Sequence, residues 1–151
     1  MSESDALRTA RRLLEQASTG ALGTVSADGY PLTSLVAFAR TEDGAPLFLI
    51  STMALHTKNL SANPRASLLL RDERGGDPLA NARVTLIGTI TRLTDAAAIA
   101  DAKARFLARH PQAATYAGFP DFNFHRLTIE RAHLIAGFGR IVEIPGGEFS
   151  G

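Results

Sequence analysis

Hydroxyl and basic side chains follow one another in the segment from residue 50 to residue 60. Ser51 and Thr52 end an aliphatic run, and His56, Thr57 and Lys58 follow within the next six residues. Hydroxyls, the free amides at a helix start and a lysine together can bind a phosphate monoester. The same pattern also fits a plain helix cap beside a solvated lysine. The segment alone therefore leaves both interpretations open.

The four histidines show no metal-ligand spacing. His56, His110, His125 and His133 form no His-x-x-x-His pair and no His-Glu-x-x-His motif, so we predict no metal site. His125 and His133 are eight residues apart in one expected strand, which predicts that they lie on the same face and are half-exposed. The sequence has no cysteine, which excludes disulfides, thiolate metal sites and cysteine nucleophiles.

Length, charge and hydropathy limit the classes of protein to which the chain can belong. The chain has 151 residues, 16 basic and 15 acidic side chains and a net charge of +1. This length predicts one domain over residues 1–151. The balanced charge does not indicate the basic surface that nucleic-acid binding requires. The start of the chain is acidic and polar, and no run reaches the roughly 18 apolar residues that a membrane helix needs. We therefore expect a cytoplasmic protein without nucleic-acid or membrane partners.

Two sequence periods alternate along the chain and predict the elements. Asp28-Gly29 and Asp43-Gly44 are typical of tight hairpin turns. On the helix predicted over about 96–110, Ala100, Ala104 and Leu107 are expected to face inward. The predicted helices cover about 5–17, 54–63 and 96–110, with a helical turn at 112–117. The predicted strands cover about 20–26, 31–40, 46–51, 66–71, 82–93, 124–136 and 138–144, and residues 145–151 are expected to form a mobile tail.

Hairpin-linked strands with helices inserted between groups of them predict the fold class. Strict strand–helix alternation, which a parallel sheet requires, is absent. The expected fold is α+β or mainly β: an antiparallel barrel or strongly curled sheet with peripheral helices.

The order of several short motifs resembles a known family. They are Gly20-Ala-Leu-Gly-Thr-Val, Asp28-Gly-Tyr-Pro-Leu-Thr-Ser-Leu-Val, Leu49-Ile-Ser-Thr, His56-Thr-Lys-Asn-Leu, Asn63-Pro-Arg-Ala-Ser-Leu and Arg83-Val-Thr-Leu-Ile-Gly. Over residues 5–144 the chain resembles the pyridoxamine 5′-phosphate oxidase-like split barrels, which bind flavin mononucleotide (FMN). Its late Gly-Phe-Gly-Arg and its His-Thr-Lys-Asn-Leu are similar to the haem-utilisation (HugZ-type) branch. The resemblance implies a split β-barrel and a homodimer with FMN at the subunit interface.

The resemblance also implies roles for individual residues. Thr33, Ser34, Leu35 and Val36 would line the flavin, and Ser51 and Thr52 would lie near its ribityl phosphate. His56, Thr57 and Lys58 would bind the phosphate, and Arg83 would contact the flavin ring or the phosphate. On the substrate side the candidates are Phe138 and Arg140, for which a core phenylalanine and a salt-bridged arginine are equally open interpretations.

Departures from the family pattern narrow the expected activity. The chain has no tryptophan, and the stretch that corresponds to the family's late Arg-x-His motif reads His133-Leu-Ile-Ala-Gly-Phe-Gly-Arg140, so oxidation of pyridoxamine phosphate is not expected. A further C-terminal domain, usual in the haem-degrading branch, does not follow in this sequence. We predict an FMN-dependent oxidoreductase with an unknown small-molecule substrate. The alternatives are a non-catalytic flavin- or haem-binding protein, acting as carrier, store or sensor, and a structural dimer with an empty site.

Overall fold

The computed structural model describes residues 3–149. These residues form a curled antiparallel sheet with helices packed against it. The helices are α1 (Glu3–Gln16), α2 (Leu55–Ala62) and α3 (Ala96–Arg109), with 3-10 helices at Pro111–Thr115 and Gly146–Phe149. The strands are β1 (Thr19–Val25), β2 (Pro31–Ala37), β3 (Ala39–Arg40), β4 (Pro46–Ser51), β5 (Arg65–Arg71), β6 (Arg83–Arg92), β7 (Phe122–Ile135) and β8 (Ile141–Pro145). The expected antiparallel architecture with peripheral helices is confirmed.

Strand β7 organises the sheet because it is long enough to hold two neighbours on one side. The strand order is β2-β1-β5-β6-β7-β4-β3, and β8 also pairs with β7. Residues 122–126 of β7 pair with β4, whereas residues 131–135 pair with β8. The 14 residues of β7 thus join both parts of the sheet.

The segment 31–40, predicted as one strand, is two strands that pair with different partners. β2 runs along β1, and β3 runs along β4 at the other end of the strand order. Phe38, 1% exposed, lies between them, and the Nε2–H of His110 at the end of α3 donates to its carbonyl at 2.7 Å. The break therefore carries the chain from one edge of the curled sheet to the other. Alternation alone does not reveal such a change of partner.

Two apolar clusters hold the layers together. The main cluster fills the barrel, where Leu22, Leu68 and Leu86 are fully buried and α1 contributes Leu13. A second, smaller cluster packs α3 against the outer side of β4. On α3 the buried side chains are Ala102 and Phe106, so the expectation that Ala100, Ala104 and Leu107 face inward is wrong for both alanines, which are exposed. Alanines on every side of this helix make its apolar stripe ambiguous.

A β-bulge in β7 changes which of its residues point into the barrel: odd-numbered residues such as Leu127 do so before the bulge, and even-numbered residues such as Leu134 after it. The register with β6 shifts between Ile87 and Gly88, where Gly88 pairs with Ile129 and Ile87 with Arg131. A Cβ on Gly88 would stand 1.9 Å from the carbonyl oxygen of Thr128, so only glycine fits opposite the bulge. The extra residue reverses the alternation.

The end of the chain is packed rather than free over its described part. Gly146 is buried, and Phe149 packs against the main cluster. The main-chain oxygen of Glu148 accepts a hydrogen bond from Arg11 of α1 at 2.6 Å. One aromatic side chain and one arginine therefore hold residues 145–149 of the expected mobile tail against the rest of the structure, and the mobility of this segment stays a prediction. Residues 150 and 151 of that prediction lie outside the described residues.

The outward side of β2, β1, β5 and β6 carries no helix within residues 3–149. Register places Leu35, Ala21, Leu69 and Thr85 in one row across these four strands. Leu35 is 79% exposed and Leu69 42%. We call the surface defined by these four residues the open face.

Candidate functional site

A serine and a histidine from separate elements meet at one end of the barrel. Ser34 lies on the inward side of β2, and its Oγ is 3.3 Å from Nδ1 of His56 in the first turn of α2. Nε2 of His56 is buried and has no hydrogen-bond partner among the described residues. Burial lowers the pKa of His56 and so favours the neutral ring. The family resemblance implies roles for both residues, and the structure brings their side chains together.

The start of α2 offers unsatisfied polar groups beside this pair. Its N-cap residue, Ala54, supplies no side-chain acceptor, so free amides of the first turn lack the usual cap. Thr57 is buried, and its Oγ1 also lacks a partner among the described residues. Asn59 fixes the helix to the sheet, since its Nδ2 donates to Oγ1 of Thr24 at 3.1 Å. The helix start is thus held in place, while the Oγ1 of Thr57 and the amides of the first turn lack a side-chain partner among the described residues.

Ser51 is engaged by protein groups, and Thr52 lies beside it at the surface. Oγ of Ser51 donates to the Asp121 carboxylate at 2.9 Å and accepts from the amide of Met53 at 3.1 Å. The amide of Thr52 donates to the carbonyl of Asp121 at 2.8 Å, and its side chain is exposed. Ser51 therefore shapes the turn before α2. Sequence reasoning missed Asp121, which lies 70 residues further along the chain.

His125 is buried on β7, and its expected half-exposure is wrong. It is 8% exposed, and its Nδ1 is 3.2 Å from the carbonyl of Asn123. Burial is the main cause that lowers its pKa, and the nearby Arg92 and His56 add to it by opposing a second positive charge. Nothing in the local pattern of β7 marks this residue, because its pairing with β4 and β6 creates its surroundings.

His133 faces the other side of β7, so the expectation that His125 and His133 share a face is wrong. The bulge near Ile129 reverses the alternation between them. Nδ1 of His133 pairs with the Glu143 carboxylate on β8. Within residues 3–149 no group of three or more histidine and acidic side chains is arranged to hold a metal ion.

The remaining predicted site residues do not all gather around Ser34. Lys58 is exposed and stands two residues, or about 200° of helix, from His56. Thr33 and Leu35 point outward from β2, whereas Val36 is buried in the main cluster.

Arg83, Phe138 and Arg140 lie toward a different end of the sheet. Arg83 pairs with Ile135 of β7, and its guanidinium donates to the carbonyl of Leu79 at 2.9 Å. Register places Ser34 in one row with Leu22, Leu68 and Leu86, and Arg83 lies three residues, about 10 Å, further along β6 and three strands away across the sheet. Phe138 and Arg140 are exposed in the turn between β7 and β8. One copy of the chain therefore does not join these residues to Ser34 and His56.

The fold and the site define a split barrel with polar groups at one end, and sequence comparison gives its class. The family model described as "CREG, beta-barrel" matches residues 1–150, and the chain belongs to this family. The expected relationship to pyridoxamine phosphate oxidase-like split barrels and their haem-utilisation branch is confirmed. A Clostridium acetobutylicum protein of the pyridoxinephosphate oxidase family shares the fold, with a TM-score of 0.75 at 19% identity over 99% of each chain.

Two particular proteins are more similar in sequence. The non-canonical heme oxygenase HOZ, chloroplastic, of Arabidopsis thaliana is 36% identical over 144 residues, covering 93% of this chain and 43% of the plant protein. The structure of a heme binding protein from Mycobacterium smegmatis has a TM-score of 0.88 and 32% identity, covering 95% of this chain and 59% of that one. The chain thus spans less than two thirds of either relative. No helix within residues 3–149 is long and apolar enough to cross a membrane.

Proposed function

We propose that this protein binds FMN at the end of the barrel and uses it as an oxidoreductase on a small molecule. The observation that carries the proposal is the Ser34–His56 pair, with the buried and unpartnered Nε2 of His56 beside it. A phosphate monoester carries about −1.5 to −2 charges at pH 7 and three acceptor oxygens. A bound phosphate would supply the hydrogen-bond partner that Nε2 of His56 lacks among the described residues.

The donor set of the site fits such a group. Ser34 has a hydroxyl, His56 an imidazole, and the start of α2 has amides without a side-chain cap. Apolar surface lies next to these donors, since Met53 is 73% exposed and Leu55 57%. A planar flavin ring needs an apolar wall, and exposed side chains of this size are suited to provide one.

The bound flavin would supply the redox chemistry, and the chain would bind and orient it. In this proposal Ser34 and His56 anchor the phosphate, while the exposed Met53 and Leu55 contribute to the wall beside the ring. Ser51 keeps the turn before α2 in shape through Asp121. A protein side chain that acts as an obligatory acid or base is not required.

We further propose that two copies associate through the open face and complete the site. A flavin bound at one chain needs a second wall to exclude water, and Arg83, Phe138 and Arg140 lie too far from Ser34 to provide it in the same copy. A two-fold dimer brings a surface against its own counterpart, so exposed Leu35 and Leu69 would be buried together.

Haem binding is the second candidate function. The relatives named for haem support it, and so does His125, a buried imidazole on β7. In this alternative the protein is a carrier, store or sensor, or shares the activity named for the plant relative. A cytoplasmic location also remains a proposal, supported by a sequence without cysteine.

The absorption spectrum of the purified protein separates the two candidates. Flavin binding predicts a yellow protein with the two bands of an oxidised flavin, and haem binding predicts an intense Soret band instead. Reconstitution with FMN, followed by steady-state oxidation of NADH or NADPH, then tests turnover. Bound FMN that is never reduced would contradict the oxidoreductase and leave a flavin carrier.

A further inference from the structure

A short turn connects β4 to α2 and decides where the first residues of the helix lie. It spans residues 51–54, and His56 follows in the first turn of α2. His56 reaches Ser34 on β2 at 3.3 Å, and this distance depends on how the turn directs the helix. The groups that hold the turn are therefore part of the question of how the site is built.

Helix α2 is too short to hold its own start rigidly. It has eight residues, and its N-cap residue, Ala54, makes no side-chain hydrogen bond. A helix of about two turns is marginally stable in isolation, and a missing cap weakens its first turn further. The described side-chain hydrogen bonds between α2 and the sheet are Asn59 to Thr24 at 3.1 Å and His56 with Ser34. The start of the helix therefore depends on contacts made before it.

Ser51, the last residue of β4, makes those contacts. Its carbonyl accepts from the amide of Ala54 at 3.1 Å, which closes the turn. Its Oγ accepts from the amide of Met53 at 3.1 Å, so this side chain satisfies an amide that a cap at Ala54 would leave free. A hydroxyl that accepts one hydrogen bond still has its own proton to donate.

Asp121 accepts that proton and holds the turn against the neighbouring strand. Its carboxylate accepts from Oγ of Ser51 at 2.9 Å, and its carbonyl accepts from the amide of Thr52 at 2.8 Å. Asp121 directly precedes Phe122, which pairs with Ser51 at the end of the β4–β7 ladder. The ring of Phe122 packs on Tyr116, with 4.8 Å between the ring centroids. Two hydrogen bonds from one residue outside α2 thus fix the turn.

The direction of the Ser51 hydroxyl also limits what Ser51 can do for a ligand. Its proton goes to Asp121, and the amide of Met53 occupies one of its lone pairs. Ser51 in this arrangement has no proton left for a phosphate oxygen. Asp121 is an acceptor with a negative charge, so its direct contact with an anion would be repulsive. Any effect of Asp121 on an anionic ligand is therefore indirect.

We propose that Asp121 is a positioning residue of the ligand site, which acts through Ser51 to fix the start of α2 so that His56 lies beside Ser34. This inference rests on the proposed function and adds to that site a residue that does not touch the ligand. The role requires an acceptor oxygen at position 121, and it does not require the negative charge. Asn keeps such an oxygen, whereas Ala removes it.

Flavin fluorescence titrations of variants at position 121 test the proposal. Asp121→Ala should weaken FMN about three- to tenfold, as expected for one lost hydrogen bond, and Asp121→Asn should restore binding to within about twofold of the wild type. Asp95→Ala is the matched control: the Asp95 carboxylate caps α3 by accepting from the amide of Ala98 at 2.9 Å, and its loss should leave FMN affinity unchanged. Equal losses in Asp121→Asn and Asp121→Ala, or no loss in either, would overturn the proposal.

Double variants show whether the effect passes through Ser51 and His56. In a protein that already carries Ser51→Ala or His56→Ala, the change Asp121→Ala should cost less than about twofold in FMN affinity, because residues that act through one another are not additive. A full further loss in both backgrounds would mean that Asp121 acts by another route and would contradict the assignment.

Measurements on the ligand-free protein separate this inference from the flavin proposal. Asp121→Ala should speed hydrogen exchange of the Met53 and Ala54 amides at least about tenfold and shift the NMR signals of the His56 ring, and Asp95→Ala should do neither. These changes in a protein that binds no FMN would reject the flavin function and retain the positioning role. FMN binding with unchanged exchange and an unchanged His56 signal in Asp121→Ala would reject the positioning role alone.

Discussion

At the scale of single residues, the sequence located the segment that matters but not the atoms within it. Hydroxyl and basic residue types near a helix start predicted a phosphate site within residues 50–60, and the family resemblance added Ser34 as a residue that lines the flavin. The structure brings Ser34 and His56 together, and the phosphate site stays a prediction. The orientation of α2 decides which basic residue faces the barrel, and that orientation depends on the contact of Asn59 with Thr24. Such a contact between distant positions cannot be read from local spacing.

Lys58 and His56 therefore give a direct comparison. The family resemblance predicts that Lys58→Ala weakens FMN more than riboflavin, by about ten- to hundredfold for one charge-assisted contact. The structure favours His56 for that contact, because Lys58 is exposed and about 200° around the helix. We expect His56→Ala to show the large effect on FMN and Lys58→Ala a small one, measured by fluorescence titration with both ligands. The reverse order would place the phosphate on the outer side of α2.

The buried histidines also predict how stability depends on pH. Their pKa values in the folded state lie below the ordinary value of 6.5, so the unfolded chain binds more protons as pH falls. Their cost to stability is absent above pH 6.5 and grows as pH falls through the lowered values. We expect urea unfolding to show a fall in stability between pH 7.5 and 5, and His125→Phe to flatten it. An unchanged slope in this variant would show that His125 titrates normally.

At the scale of elements, most helices and strands follow from periodicity and turn residues, and the exceptions have one cause. The breaks at Phe38 and at the β7 bulge both occur where a strand changes its partner or its register. Hydrophobic alternation continues through the break at Phe38. At the β7 bulge the alternation is shifted by one residue. Pairing between distant strands determines both, and local sequence does not encode it.

The bulge gives a prediction about Gly88. Gly88→Ala would push a Cβ against the carbonyl oxygen of Thr128, and neither backbone can move without loosening the β6–β7 pairing. We expect a loss of at least about 2 kcal/mol in the free energy of unfolding, measured by urea denaturation. Gly75→Ala is the matched control, because nothing lies within 4 Å of its added Cβ. Equal stability of both variants would mean that the bulge is not rigid.

At the scale of the whole molecule, the open face is the feature that a single copy leaves unexplained. Three helices cover other parts of the barrel within residues 3–149, while Leu35 and Leu69 remain exposed on this side. The predicted homodimer would cover them, and it would also supply the second wall for a flavin. Association thus links the packing of the molecule to its proposed function.

The open face predicts the effect of a charge placed at its edge. Leu35→Glu should convert a dimer into a monomer at micromolar concentration, because the carboxylate would be buried against apolar groups of the second copy. Ile99→Glu on α3, where Ile99 is 37% exposed, is the control and should stay dimeric. Sedimentation velocity measures both. A wild-type protein that sediments as a monomer with FMN bound would contradict the dimer.

Binding of FMN compared with riboflavin tests the central claim most directly. The phosphate is the only difference between the two ligands, and the unpartnered Nε2 of His56 next to Ser34 is what the structure offers to it. We predict that the wild-type protein binds FMN at least about tenfold more tightly than riboflavin at pH 7, measured by quenching of flavin fluorescence. Equal affinity for the two, or no binding of FMN at micromolar protein, would contradict the account.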